Sequence, residues 1–170
     1  STVDLNGNTI GQDGNEVVNG ILFNKITNAV VNIIGGTIDS AANNGGPIEG
    51  DGINFRKGLH SGADVNISKI VINSDTDEAI DVHAAVRSGS TIDISGGTYN
   101  GNNNGIEFSN TIAGAATIEG ATVNGYGADK RGVNLLGKIT GVLNIKNSTI
   151  TGGDDAIGSN DSQKNDVDNG

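Results

Sequence analysis

The 170-residue sequence predicts an all-β chain wound as a right-handed parallel β-helix, or β-solenoid, of about six coils of roughly 27 residues with three short strands per coil. Three observations predict it. One five-residue segment recurs along the chain, a second segment with fixed internal spacing recurs between its copies, and the composition supplies only aliphatic residues for a thin, stacked core.

The first repeat has the form x-Gly-Φ-x-Φ, where Φ is apolar and Ala twice replaces Gly. It occurs as NGILF at 19–23, DGINF at 51–55, EAIDV at 78–82, NGIEF at 104–108, RGVNL at 131–135 and, more faintly, DAIGS at 155–159. Its first apolar residues are Ile21, Ile53, Ile80, Ile106, Val133 and Ile157, spaced 32, 27, 26, 27 and 24 apart. A period of two over so short a run is a strand with alternate side chains inward. The last apolar position holds Phe23, Phe55, Val82, Phe108 and Leu135, and so collects all three Phe of the chain. Coils stacked at roughly 4.8 Å per rung would bring these residues into one interior column.

The second repeat reads VDLNGNTI, VNIIGGTI, VNISKIVI, IDISGGTY, ATIEGATV with a one-residue offset in its frame, and LNIKNSTI. Leu5 to Ile10, Ile33 to Ile38, Ile67 to Ile72, Ile94 to Tyr99, Ile118 to Val123 and Ile145 to Ile150 each span five residues. Such constancy predicts one rigid corner between two further strands. From the end of the first repeat to the next second repeat takes 8 or 10 residues. The joint that closes each coil is elastic, and its longest form contains SAANNGGPIEGD. Insertions therefore gather at one corner. Gly, Asn and Asp punctuate the joints, and no stretch carries the apolar spacing and caps of a helix. A single strand of three to five residues cannot bury its apolar face, so neighbouring coils must cover it. Right-handed winding is expected from the coil length, the missing six-residue period and the general handedness of parallel connections. Residues 1–159 form the solenoid domain, and residues 160–170 are read as a polar C-terminal tail or the start of a further loop.

Composition narrows the function. With no Cys, thiol chemistry, disulfides and thiolate metal sites are excluded. Ten Lys and Arg against 20 Asp and Glu give a formal charge of -10, which disfavours nucleic acid and anionic membranes as partners. No run reaches the roughly 18–20 apolar residues of a membrane helix, and STVDLNGNTI reads as a mature or excised start. An acidic, Gly- and Asn-rich, Cys-free chain suits an extracellular or cell-surface location.

Outward positions of the first repeat form ladders of their own. The residue before Gly runs Asn19, Asp51, Glu78, Asn104, Arg131 and Asp155. The residue between the two apolar positions runs Leu22, Asn54, Asp81, Glu107, Asn134 and Gly158, and the next outward row begins Asn24, Arg56, His83 and Ser109. Asp81 and Glu107 on neighbouring coils beside His83 are the catalytic candidates, because glycosidic chemistry needs one carboxyl as acid and another as base or nucleophile. Mixed polar rows on exposed strands also arise simply to relieve repulsion. Arg56, Asn54, Glu78, Arg131 and the loop aromatic Tyr126 are the binding-face candidates. No cofactor is expected, with calcium as the alternative: Asp75 and Asp77 in SDTDE, and Asp166 and Asp168 in NDVDNG, offer hard oxygen ligands without a complete calcium loop.

Segments such as IDISGGTY alternating with segments such as DGINF, over residues 3–159, resemble the right-handed parallel β-helix (pectate lyase-like) superfamily, closest in style to autotransporter and adhesin-type solenoid segments. GGDDAIGS at 152–159 resembles the Gly-Asp-Asp segment of polygalacturonases, and DTD at 75–77 is similar to their Asn-Thr-Asp. That resemblance implies catalytic roles for Asp77, Asp154 and Asp155. In this chain, however, the segments lie about three coils apart, roughly 14 Å at 4.8 Å per rung, beyond the about 9.5 Å of inverting carboxylate pairs. The expected function is accordingly a non-catalytic structural or adhesive β-solenoid, stacking end to end or forming part of a longer rod. The alternative is a polysaccharide-active lyase, hydrolase or epimerase, or a carbohydrate-binding module, with a polysaccharide or cell-surface glycan as partner.

Overall fold

Alternation of apolar and polar residues becomes strand wherever the two repeats occur. The computed structural model describes residues 1–10, 19–39 and 50–159; most of the long corner insertion and the segment 160–170, with Asp166 and Asp168, lie outside the described residues. Among the described residues, eighteen short strands form three parallel six-stranded sheets, and each sheet takes every third strand. Sheet 1 stacks β1 (Thr2–Asp4), β4 (Val30–Ile34), β7 (Asp64–Ser68), β10 (Thr91–Ser95), β13 (Ala115–Glu119) and β16 (Val142–Lys146). Sheet 2 stacks β2 (Thr9–Ile10), β5 (Thr37–Asp39), β8 (Val71–Ser74), β11 (Thr98–Gly101), β14 (Thr122–Gly125) and β17 (Thr149–Thr151). Sheet 3 stacks β3 (Ile21–Phe23), β6 (Ile53–Phe55), β9 (Ile80–Val82), β12 (Ile106–Phe108), β15 (Val133–Leu135) and β18 (Ile157–Ser159). The chain is a parallel β-solenoid with no helix among the described residues.

Registers follow the sequence repeats. Ile80 lies opposite both Ile53 and Ile106, and Phe108 opposite both Val82 and Leu135. All three Phe do share one interior column, in which Phe23 and Phe55 stack with ring centroids 5.2 Å apart and planes 7° from parallel. Fully burying an Ile, Leu or Phe contributes about 1.5–3 kcal/mol. Inward rows of such residues hold the middle coils together, and they are only partly buried in the first and last coils, at Val3, Ile10, Leu143 and Ile150.

The five-residue corner between sheets 1 and 2 has a backbone cause. Gly35, Lys69, Gly96, Gly120 and Asn147 occupy its equivalent position, and all have φ between 52° and 64°. This left-handed turn reverses the chain in the fewest residues, and Gly or Asn adopts it most readily. The first coil differs from the spacing read in the sequence. Val3, not Leu5, pairs with Ile33, while Ile10 pairs with Ile38, so the first corner holds two extra residues and Leu5 caps it. Ala116 and Ile118 pair with Ile92 and Ile94 directly, without the offset expected from the sequence.

A fourth inward column closes the coil between sheets 3 and 1. Ile26, Leu59, Val86, Ile112 and Ile139 follow one another through single parallel bridges, the first four of them buried. Each is one isolated apolar residue in a polar joint, with no period around it to mark it.

Candidate functional site

The four middle rungs of sheet 3 each offer two outward polar residues three positions apart, because the coil bends at the Gly or Ala between them. At Gly105 a Cβ would come within 2.5 Å of Val123 Cγ1 and 2.7 Å of the Gly132 carbonyl, which explains the small residue there. Four consecutive rungs present Asp51 with Asn54, Glu78 with Asp81, Asn104 with Glu107, and Arg131 with Asn134. Although they face outward, Asp51, Glu78, Asp81, Asn104 and Asn134 are each no more than 6% exposed.

Amide donors meet carboxylate acceptors across most of this grid. Asn54 Nδ2 donates to Asp51 Oδ2 at 2.5 Å and to Asp81 Oδ2 at 3.2 Å. Asn104 Nδ2 donates to Glu78 Oε1 and Glu107 Oε2, both at 2.9 Å, and Asn134 Nδ2 donates to the same Glu107 oxygen at 2.8 Å. Ser109 Oγ, the nearest hydroxyl, contacts Asp81 Oδ1 at 3.0 Å and Glu107 Oε1 at 2.8 Å, bridging the two carboxylates. His83 is exposed and reaches Asp81 with Nδ1 at 3.3 Å. Arg131 donates to Asn134 Oδ1 at 3.0 Å and makes longer ion pairs with Asp154 and Asp155.

The second rung carries two acids and no amide, and its electrostatics follow. Burial pushes the Asp81 carboxyl up to about 7, with repulsion from Asp51 adding to it and the Ser109 hydrogen bond and His83 opposing it. Burial likewise pushes Asp51 up to about 6 against its Asn54 hydrogen bond. Glu78 rises furthest, to about 10, through burial, a hydrogen bond to Asp77 and the charges of Asp77 and Glu107. Asp51, Asp77 and Glu78 form one cluster, each offering an oxygen within 4.8 Å of the others.

Asp81, His83 and Glu107 are thus brought together as their spacing predicts. Asp81 Oδ2 and Glu107 Oε2 accept amide hydrogens, while Asp81 Oδ1 and Glu107 Oε1 share the single proton of the Ser109 hydroxyl, so all four oxygens are engaged by neighbouring side chains. Arg56, Asn54 and His83 line a shallow groove with Asn19 and Leu22. Tyr126 belongs elsewhere. It stands 63% exposed over sheet 2, where its hydroxyl donates to Asn100 Oδ1 at 3.0 Å. Beneath it runs an asparagine ladder, Asn124 to Asn100 at 2.8 Å and Asn100 to Asn73 at 2.7 Å, beside a groove of about 340 Å³ that Asp39 and Asp75 also line. The single binding face expected from the sequence is therefore divided between two sheets.

Asp75 and Asp77, adjacent as calcium candidates, part company: Asp75 lines the sheet 2 groove and Asp77 joins Asp51 and Glu78. Asp77 precedes β9, while Asp154 and Asp155 precede β18 and sit at Arg131, so the polygalacturonase-like acids are not assembled. Asp51 and Glu78 are the members that sequence reasoning left out of its metal candidates. Their signal was the 27-residue offset that stacks one on the other. The chain matches no protein-family model, no curated protein and no solved structure.

Proposed function

We propose that the chain is a non-catalytic structural or adhesive β-solenoid, working outside the cell or on its surface as a stiff segment that presents polar ladders. One observation carries this reading: Asp81 and Glu107 engage their oxygens with neighbouring side chains, between coils through Asn54, Ser109 and Asn134 and within a coil through Asn104. A general acid or nucleophile needs an oxygen aimed at substrate. The partly covered apolar rows of the first and last coils suit a further coil, from this chain or another copy, as in end-to-end association or a longer rod of adhesin type. Depolymerisation assays on anionic polysaccharides test the reading. No turnover is expected, and turnover abolished by Asp81→Asn or Glu107→Gln would overturn it in favour of the polysaccharide-active branch of the β-helix superfamily.

A second reading, carbohydrate binding, is favoured by Tyr126. An exposed ring held over a ladder of neutral amides supplies the stacking face and the hydrogen bonds that a sugar uses. Glycan-array binding lost in Tyr126→Ala, with the melting temperature unchanged, is its expected signature.

A further inference from the structure

We propose that Asp51, Asp77 and Glu78 form a calcium site that fastens the second coil to the third. The inference is independent of the function proposed above. One oxygen from each residue lies within 4.8 Å of the others, which matches oxygens sharing one Ca²⁺: at 2.3–2.6 Å from the ion, two ligands are at most about 5 Å apart. The donors are all carboxylates, hard ligands of the kind Ca²⁺ selects, with no imidazole or thiolate among them.

A second observation points to a ligand. Asp51 is 5% exposed, and although its Oδ2 accepts from Asn54, its Oδ1 is buried with no hydrogen-bond partner. A buried carboxylate oxygen left bare is costly, since it has lost water and gained nothing. The same shortage surrounds it. Asn54, bonded to Asp51, and Asn103, bonded to Asp77 at 3.2 Å, each keep a buried Oδ1 without a donor. Three bare acceptor oxygens beside three acids are a local excess of negative ends, and one divalent cation corrects it. The remainder of an eightfold shell can come from water.

The placement gives the ion a mechanical role. Asp51 leads into β6, while Asp77 and Glu78 lead into β9, so the ion would cross-link adjacent coils beside the elastic corner. Backbone bonds from Gly52 N to the Glu78 carbonyl and from Ile53 N to the Ala79 carbonyl already join the two coils there, and the ion would add a side-chain tie to them.

The test uses the full chain, stripped with chelator and titrated with CaCl₂ at fixed ionic strength. One saturable equivalent per chain by calorimetry is expected, with a melting temperature raised by about 5–10 °C at a hundredfold excess over Kd. Asp51→Asn and Glu78→Gln should weaken binding at least tenfold. Both keep the side-chain shape and add no charge to a buried cluster, so both should fold, which circular dichroism verifies. Asp93→Asn, on sheet 1, removes the same net charge and should bind as the wild type does. A wild-type chain with no saturable response would overturn the site, as would a response equally reduced in Asp93→Asn, the mark of diffuse counter-ion binding to an acidic protein. A response unaffected by Asp51→Asn would place the ion elsewhere and also overturn it.

Discussion

Replacing Asp81 by Asn in calcium-free buffer isolates the cost of the crowded second rung. The buried Asp81 carboxyl faces Asp51 from the coil before it, Glu107 and Ser109 from the coil after it, and His83 on its own coil. Its pKa rises from 3.8 to about 7 on folding. The folded chain therefore holds this proton more tightly than the unfolded one. Full stability is present below the unfolded value, and it is lost as pH rises through about 7. Linkage over that interval makes the wild type more stable at pH 5 than at pH 8 by roughly 2–3 kcal/mol from this residue alone. For a chain of this size, that is about 5–10 °C in melting temperature. Asp81→Asn cannot ionise, and its amide keeps the shape and an acceptor oxygen. The variant should melt higher than the wild type at pH 8 and should lose that share of the pH 5 advantage. Thermal melts followed by circular dichroism at pH 5, 6, 7 and 8 measure both. A wild type whose midpoint does not fall between pH 5 and 8, or a variant with the wild-type slope, would refute the argument that burial and neighbouring charge govern this rung.

Phe55→Ala should cost about 3–5 kcal/mol, because Phe23 loses its stacked partner and a sealed column is left with a void; a urea midpoint within error of wild type would contradict it. Tyr99→Phe should gain about 1 kcal/mol, since the Tyr99 ring is fully buried and its hydroxyl has no hydrogen-bond partner; a lower melting temperature would show that the hydroxyl is used. Two corner glycines should behave differently. Gly120→Ala meets nothing within 4 Å and bears only the left-handed backbone cost of about 1–2 kcal/mol, whereas Gly97→Ala would also drive its methyl into the Ile70 carbonyl and should lose clearly more. Equal losses in denaturant melts would mean that the collision is relieved.

The solenoid was legible because stacking converts a sequence period into a spatial register. Ile53, Ile80 and Ile106 repeat in the chain and then face one another in sheet 3, and the gathering of Phe23, Phe55 and Phe108 follows from the same offset. Where the period was imperfect, reading it failed in small ways. Leu5 matched the five-residue spacing, yet the first corner is longer and Val3 carries the register. The fourth column at Ile26, Leu59, Val86 and Ile112 was silent because a lone apolar residue in a loop has no partner in its own neighbourhood. For the candidate site, rows were readable and cross-links were not. Asp81 and Glu107 could be placed on neighbouring coils, but which oxygen meets Asn54, Ser109 or Asn134 depends on side-chain directions across four rungs.

By itself, then, the sequence determined the winding, the interior columns of the three sheets and the polar rows, since each depends on one residue meeting its own counterpart a coil away. Tertiary structure decided what lies between unlike positions: Asp77 turning to Asp51 and Glu78 while Asp75 turns to sheet 2, and Tyr126 standing over Asn100 instead of beside Asp81. Those partnerships arise at corners, where the backbone leaves the repeat and the direction of a side chain no longer follows from counting by two.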